Sequence, residues 1–211
     1  MRYALRVFLV LFSFAAPARA AEESANAIFL VASPVLLDRN FRETVVLVTQ
    51  PREGGPWGVI INRPLDHLLS EVFNDIETLK DRKEVLYFGG PVARDGLVFL
   101  VRTQQPPPRA LPVLRDVYVV SDVEYIEKLL QRPEPVRDLR VYSGYAGWAP
   151  GQLQHEIARG GWVLMPADAD MVFEGDPARV WPELIKRATS GTTTKDEGGR
   201  GKDDVVSRIM D

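Results

Sequence analysis

The 211-residue chain contains no cysteine and only two histidines, His67 and His155. Without cysteine there are no disulfides, no thiolate zinc sites, no iron–sulfur clusters and no cysteine nucleophile. Two histidines leave little for a His-rich metal centre. His155 sits beside Glu156, but adjacent helical residues face different ways, so the pair makes no ligand set. Basic stretches are also missing. Lysine and arginine total 26 against 29 acids and are scattered among them. Nucleic-acid binding driven by phosphate neutralisation is therefore disfavoured. No internal repeat occurs.

Long hydrophobic runs are absent as well. The longest, Val7 to Ala16, is interrupted by Ser13. About ten residues at 1.5 Å rise reach only about 15 Å, half of a bilayer core, so no permanent membrane span is expected. This run follows Arg2 and Arg6 and ends in Pro17 and Ala18-Arg19-Ala20, the three-part pattern of a secretory signal. Residues 1–20 are read as a signal peptide and residues 21–27 as a linker. The mature protein is then periplasmic or secreted; a misassigned start codon upstream of a cytoplasmic protein is the alternative. Without Arg2, Arg6 and Arg19 the basic count falls from 26 to 23 against 29 acids, a net charge near −6. Intact mass of the fractionated protein is expected to show cleavage after Ala20; a cytosolic product retaining residues 1–20 would overturn that.

What remains is strand-rich. Short apolar runs at Ile28–Ala32, Thr44–Thr49, Trp57–Ile61, Val85–Phe88, Leu97–Val101, Val117–Val120, Leu139–Tyr142 and Trp162–Met165 are bounded by turn residues. Several are continuous rather than alternating, which predicts burial on both faces. Residues 51–56 read as a hairpin loop. Helices are expected over about 121–131, from a capping-box spacing, over 150–159, stopped by Gly160-Gly161, and over 178–188 behind Asp176-Pro177. A shorter one is expected over 67–73. Strands and helices do not alternate regularly, so a mixed α+β domain over residues 28–189 is favoured. Thr103 to Pro112, with four prolines, reads as an extended surface loop. Residues 190–211 carry too few apolar residues to pack and read as a disordered tail.

Candidate chemistry is sparse. Asn62 and Arg63 stand at the end of an apolar strand, and Pro64 holds Arg63 extended. They form either an anion clamp or a structural pair, with Asn62 on loop backbone and Arg63 on an internal acid. Gly89-Gly90 permit a tight turn or a close backbone approach, without the spacing of a phosphate loop. Tyr145 and Trp148 lie among small residues, with Gln152 and Glu156 one helical turn apart beyond them. They line either a stacking pocket or the core. The acidic run from Asp168 to Asp176 lacks a calcium-loop glycine and reads as a solvated face. No metal or other cofactor is implied.

In order, Phe29–Pro34, Asp38 with Asn40-Phe41, Thr44–Leu47, Gly58–Pro64, Tyr87–Val92, Gly144–Trp148, Gly151–Leu153, Glu156-Ile157 and Trp162 resemble the YqgE/AlgH family. The resemblance spans about Phe29 to Ala188. It implies a single α+β domain whose bifurcated mixed sheet curls into a pseudo-barrel, and no established reaction. Gln154, Gly160-Gly161 and Thr49-Gln50 depart from the family pattern. The family's "transcriptional regulator" label carries no DNA-binding site with it. The favoured reading is a non-enzymatic module that binds a small molecule or a protein. The enzymatic alternative, a hydrolase, requires Asn62, Arg63, Tyr145 and Gln152 to converge in one pocket.

Overall fold

The computed structural model describes residues 8–9, 27–49 and 55–191. In chain order the strands and helices are β1 (Phe8–Leu9), β2 (Ile28–Ala32), β3 (Val45–Thr49), β4 (Trp57–Ile60), β5 (Pro64–Leu68), α1 (Leu69–Val72), β6 (Val85–Phe88), β7 (Val92–Arg102), β8 (Ala110–Leu114) and β9 (Val117–Val120). Then come α2 (Val123–Leu130), β10 (Leu139–Gly147), α3 (Gln152–Ala158), β11 (Trp162–Pro166), α4 (Ala169–Phe173) and α5 (Pro177–Gly191). Among the described residues no helix is long and apolar enough to cross a membrane.

The strands form one mixed sheet in the order β11-β2-β3-β4-β10-β7-β9-β8, with β6 beside β10, β5 beside β6 and β1 beside β7. β10 is the branch point. Its Tyr142 and Ser143 carry β7 on one edge and the parallel β6 on the other. Further along, Ala146 and Gly147 pair with β4 instead. The sheet therefore forks, and its two lobes curl toward each other. The N–H of Ala27, at the start of β2, reaches the Val113 carbonyl of edge strand β8 at 3.0 Å.

The continuous apolar runs are buried on both faces because each face meets a different core. Phe29, Val31, Val45, Leu47 and Val59 point into the pseudo-barrel with Leu100, Val117 and Tyr142, plugged by Val172 and Phe173 of α4 and Leu184 of α5. Their strand neighbours Leu30, Val46, Val48 and Ile60 pack outward with Trp148, Leu153 and Trp162. A third core, from Phe99, Val101, Val120 and Val141, lies under α1 and α2. The fold is thus a single α+β domain with a curled, bifurcated sheet.

Several local expectations give way to nonlocal pairing. The helix expected over 67–73 is shortened to α1, because Pro64 and Leu68 pair with Tyr87 and Val85 of β6. The proline-rich loop ends in strand: Ala110, Leu111 and Pro112 pair with Val120, Val119 and Tyr118. Proline is tolerated there because β8 is an edge strand. Within the acidic run Asp168 caps α4, accepting the Asp170 N–H at 2.9 Å. Ala27 belongs to the domain rather than to a linker, being buried. Helix α5 extends to Gly191, so the first two residues assigned to the tail are helical. The remainder of that tail, residues 192–211, lies outside the described residues, as do residues 51–54 of the hairpin loop. So does the signal segment except for Phe8 and Leu9, which pair in parallel with Gly96 and Leu97.

Candidate functional site

Asn62 and Arg63 leave β4 and turn back over the loop of residues 33–44. The Asn62 amide spans that loop's entry into β3: Oδ1 accepts from Val45 N–H at 2.8 Å, and Nδ2 donates to the Glu43 carbonyl at 3.0 Å. Between these contacts the chain needs help, because Glu43 has φ 57°, a left-handed conformation that a non-glycine residue seldom adopts. Arg63 donates to the carbonyls of Asn40 at 2.7 Å and Arg42 at 3.0 Å. Its guanidinium also lies 5.7 Å from the centroid of the Phe88 ring. Burial, and then the neighbouring Arg42, lower the Arg63 pKa from its ordinary value against the pull of Glu43. The structural reading of the pair therefore holds for Asn62. For Arg63 it is corrected: main-chain carbonyls, not an internal acid, receive the guanidinium.

The same loop is pinned a second time by aromatic packing. Phe41 stacks with Trp148 at a centroid distance of 6.1 Å and meets Trp162 edge-on at 5.5 Å. Both indoles are buried, and both donate to one carboxylate. Glu156 Oε2 accepts from Trp148 Nε1 at 3.0 Å and from Trp162 Nε1 at 2.8 Å. Its other oxygen accepts from Gln152 Nε2 at 2.9 Å, and Gln152 Oε1 in turn accepts the Ala149 N–H at 3.1 Å. Trp148 and Gln152 thus meet around Glu156. The only clue to this hub in the sequence was the four-residue spacing of Gln152 and Glu156.

Tyr145 goes elsewhere, packing edge-on against Trp57 at 6.4 Å beside the pseudo-barrel core. Gly89 and Gly90 serve a chain crossing. A Cβ on Gly89 would lie 2.2 Å from the Gly144 carbonyl oxygen, and one on Gly90 would lie 2.2 Å from the Tyr145 backbone. Only glycine lets β6 run this close to β10. The enzymatic alternative needed four side chains in one pocket. Instead, Asn62 and Arg63 hold a loop, Gln152 holds a carboxylate and Tyr145 packs on Trp57. None of them lines the cavity of about 550 Å³ that opens between β7, α4 and the loop before β10. No group of three or more metal-ligating side chains occurs among the described residues.

All this binding effort supports a loop whose tip is bare. Leu36 packs inward, while its neighbours Val35 and Leu37 are 73% and 82% exposed. Arg39 and Arg42 follow, both exposed, and neither side chain is paired with a described residue. Asp38 is turned back to accept the Asn40 N–H at 2.7 Å.

A single α+β domain with a curled, bifurcated sheet and a loop braced from β4 and β10 defines the class. The AlgH-like family profile matches residues 29–192. An uncharacterised protein of the UPF0301 group from Methylococcus capsulatus is 36% identical over 165 residues, covering 76% of this chain and 89% of the relative. Another, from Mycobacterium tuberculosis, is 32% identical over 174 residues, covering 81% and 85%. Among solved structures, protein DIP2367 of Corynebacterium diphtheriae superposes with a TM-score of 0.62 at 26% identity, covering 78% of this chain and 86% of that one. The AlgH protein of Pseudomonas aeruginosa gives 0.62 at 25% identity, covering 88% and 100%. The chain belongs to the YqgE/AlgH family. The names of these relatives assign no reaction.

Proposed function

We propose that the protein is a non-enzymatic interaction module, and that the loop of residues 33–44 is the surface it presents to a protein partner. The observation that carries this reading is the contrast within the loop. Its base is fastened by four side-chain hydrogen bonds from Asn62 and Arg63 and by the Phe41 wedge. Its tip exposes Val35 and Leu37. A rigid presentation lowers the entropy lost on binding, and Val35 and Leu37, two positions apart, leave apolar surface in solvent of the kind contact surfaces use. Arg39 and Arg42, unpaired among the described residues, favour a partner with acids around an apolar pocket.

A photo-crosslinking residue placed at Leu37 in cells is expected to give one discrete adduct, lost in the Arg39→Glu/Arg42→Glu background. The same residue at Val123, 43% exposed on α2, is the control. An adduct pattern identical to the control would overturn the reading. Arg63→Ala is expected to weaken the adduct by loosening the loop. It should also cost about 1–3 kcal/mol in denaturant unfolding, the worth of two hydrogen bonds from a charged donor whose acceptors stay near solvent. A loss of about 5 kcal/mol, the upper end of the cost of leaving a buried acid unpaired, would contradict the geometry seen here.

A further inference from the structure

We propose that the cavity between β7, the loop before β10 and α4 binds a small zwitterion with an apolar side chain, of the α-amino-acid type. Its volume, about 550 Å³, falls in the range of small-molecule sites, and it shares no residue with the braced loop. One wall is apolar, from Val136 and Phe173, both buried. The Arg140 guanidinium lies 5.6 Å from the Phe173 ring centroid and stiffens that wall.

The charged lining divides into groups already engaged and groups left over. Arg102 bridges Asp116 at 2.9 Å and Asp170 at 2.6 Å. Arg140 donates through its Nη groups to the carbonyls of Arg137, Leu139 and Phe173, while its buried Nε has no partner among the described residues. Glu84 accepts from Arg82 and from the Val136 N–H. Arg137 and Asp138, adjacent in the chain and both lining the cavity, have no side-chain partner among the described residues. Among the described residues Glu174 reaches only Arg102, at 3.5 Å.

A free guanidinium fork suits a carboxylate, and Asp138 with Glu174 suits an ammonium. The ligand's apolar part then meets Val136 and Phe173. The overall lining sets Arg102, Arg137 and Arg140 against Glu84, Asp138 and Glu174. That balance disfavours a polyanion such as a nucleotide, whose phosphates would face three carboxylates.

Isothermal titration of the full chain with L-leucine, L-leucinamide and N-acetyl-L-leucine tests this. L-leucine is expected to bind, and each capped analogue to bind at least about tenfold more weakly, about 1.4 kcal/mol. Arg137→Gln should remove the penalty for capping the carboxylate, and Asp138→Asn the penalty for capping the amine. Both positions are exposed, and unchanged thermal midpoints of the variants would confirm intact folding. The proposal is overturned if neither L-leucine nor L-phenylalanine gives heat up to about 10 mM, well above the range of useful affinity. Equal binding of capped and uncapped ligands, or variants that bind as the parent does, would overturn it equally.

Discussion

Glu156→Ala is expected to destabilise the domain by about 4 kcal/mol, because two buried indole N–H groups lose their acceptor together and each orphaned donor costs about 1–3 kcal/mol. Trp148 and Trp162 are 6% and 4% exposed, so both N–H groups depend mainly on this carboxylate for an acceptor. In a domain of this size that loss lowers the thermal midpoint by roughly 10 °C. Glu156→Gln keeps one acceptor oxygen but offers an amide N–H where the other stood, and should cost about half as much. Tryptophan fluorescence should shift to the red in the alanine variant as the indoles hydrate. An unfolding free energy within about 1 kcal/mol of the parent's would show that the indoles find other acceptors. It would also show that Phe41, and with it the loop, is not held through this carboxylate.

The acid limb of stability is expected to depend on Glu84. Arg82 donates through Nε to Glu84 Oε1 at 2.8 Å, and through Nη1 to the carbonyls of Leu130 and Arg132 at 3.3 and 3.2 Å. Glu84 Oε1 also accepts the Val136 N–H at 3.3 Å. The pair ties the entry to β6 to the end of α2 and the start of the following loop. Burial pushes the Glu84 carboxyl up, but the hydrogen bond from Arg82, those from the backbone and the Arg82 charge together outweigh it. The net pKa lies below the ordinary 4.5. A depressed carboxylate pKa contributes stability that is complete above the unfolded-state value near 4.5 and is lost as pH falls through the folded one. Glu84→Ala leaves the Arg82 side chain, 8% exposed, without its counter-ion. It should cost about 3 kcal/mol at pH 7. Parent and variant should converge in denaturant unfolding once pH drops well below 4.5. A difference unchanged down to pH 2 would mean that Glu84 acts through packing alone.

Much of the strand pattern was legible because both sheet faces are covered. Ile28–Ala32, Val85–Phe88 and Val117–Val120 stand where continuous apolar runs placed them. The helix behind Asp176 was legible for a local reason, since Asp176 accepts the Ala178 N–H. The helix expected from a capping box at Ser121 starts one residue later: Asp122 caps it by accepting the Tyr125 N–H, while the Ser121 hydroxyl donates to the Arg109 carbonyl. At the candidate site, the chain showed that Asn62 and Arg63 stop a strand in a fixed posture, and that Gln152 and Glu156 share a helical face. It did not show what any of them touches.

The residues by themselves determined the exclusions, since chemistry without cysteine and nearly without histidine cannot be restored by folding. They also determined the family, through an ordered set of motifs, and the α+β class, through apolar periodicity. Tertiary structure decided the rest. The acceptors of Arg63 are the carbonyls of Asn40 and Arg42, 23 and 21 positions away, and a main-chain carbonyl has no sequence signature. Glu156 becomes a hub only because α3 brings it between an indole at the end of β10 and another at the start of β11. Val35 and Leu37 look like any core residues until the fold leaves them in water. A side chain's type states what it can do, but burial and partners are properties of the whole chain's packing, and here they separate a brace from a surface.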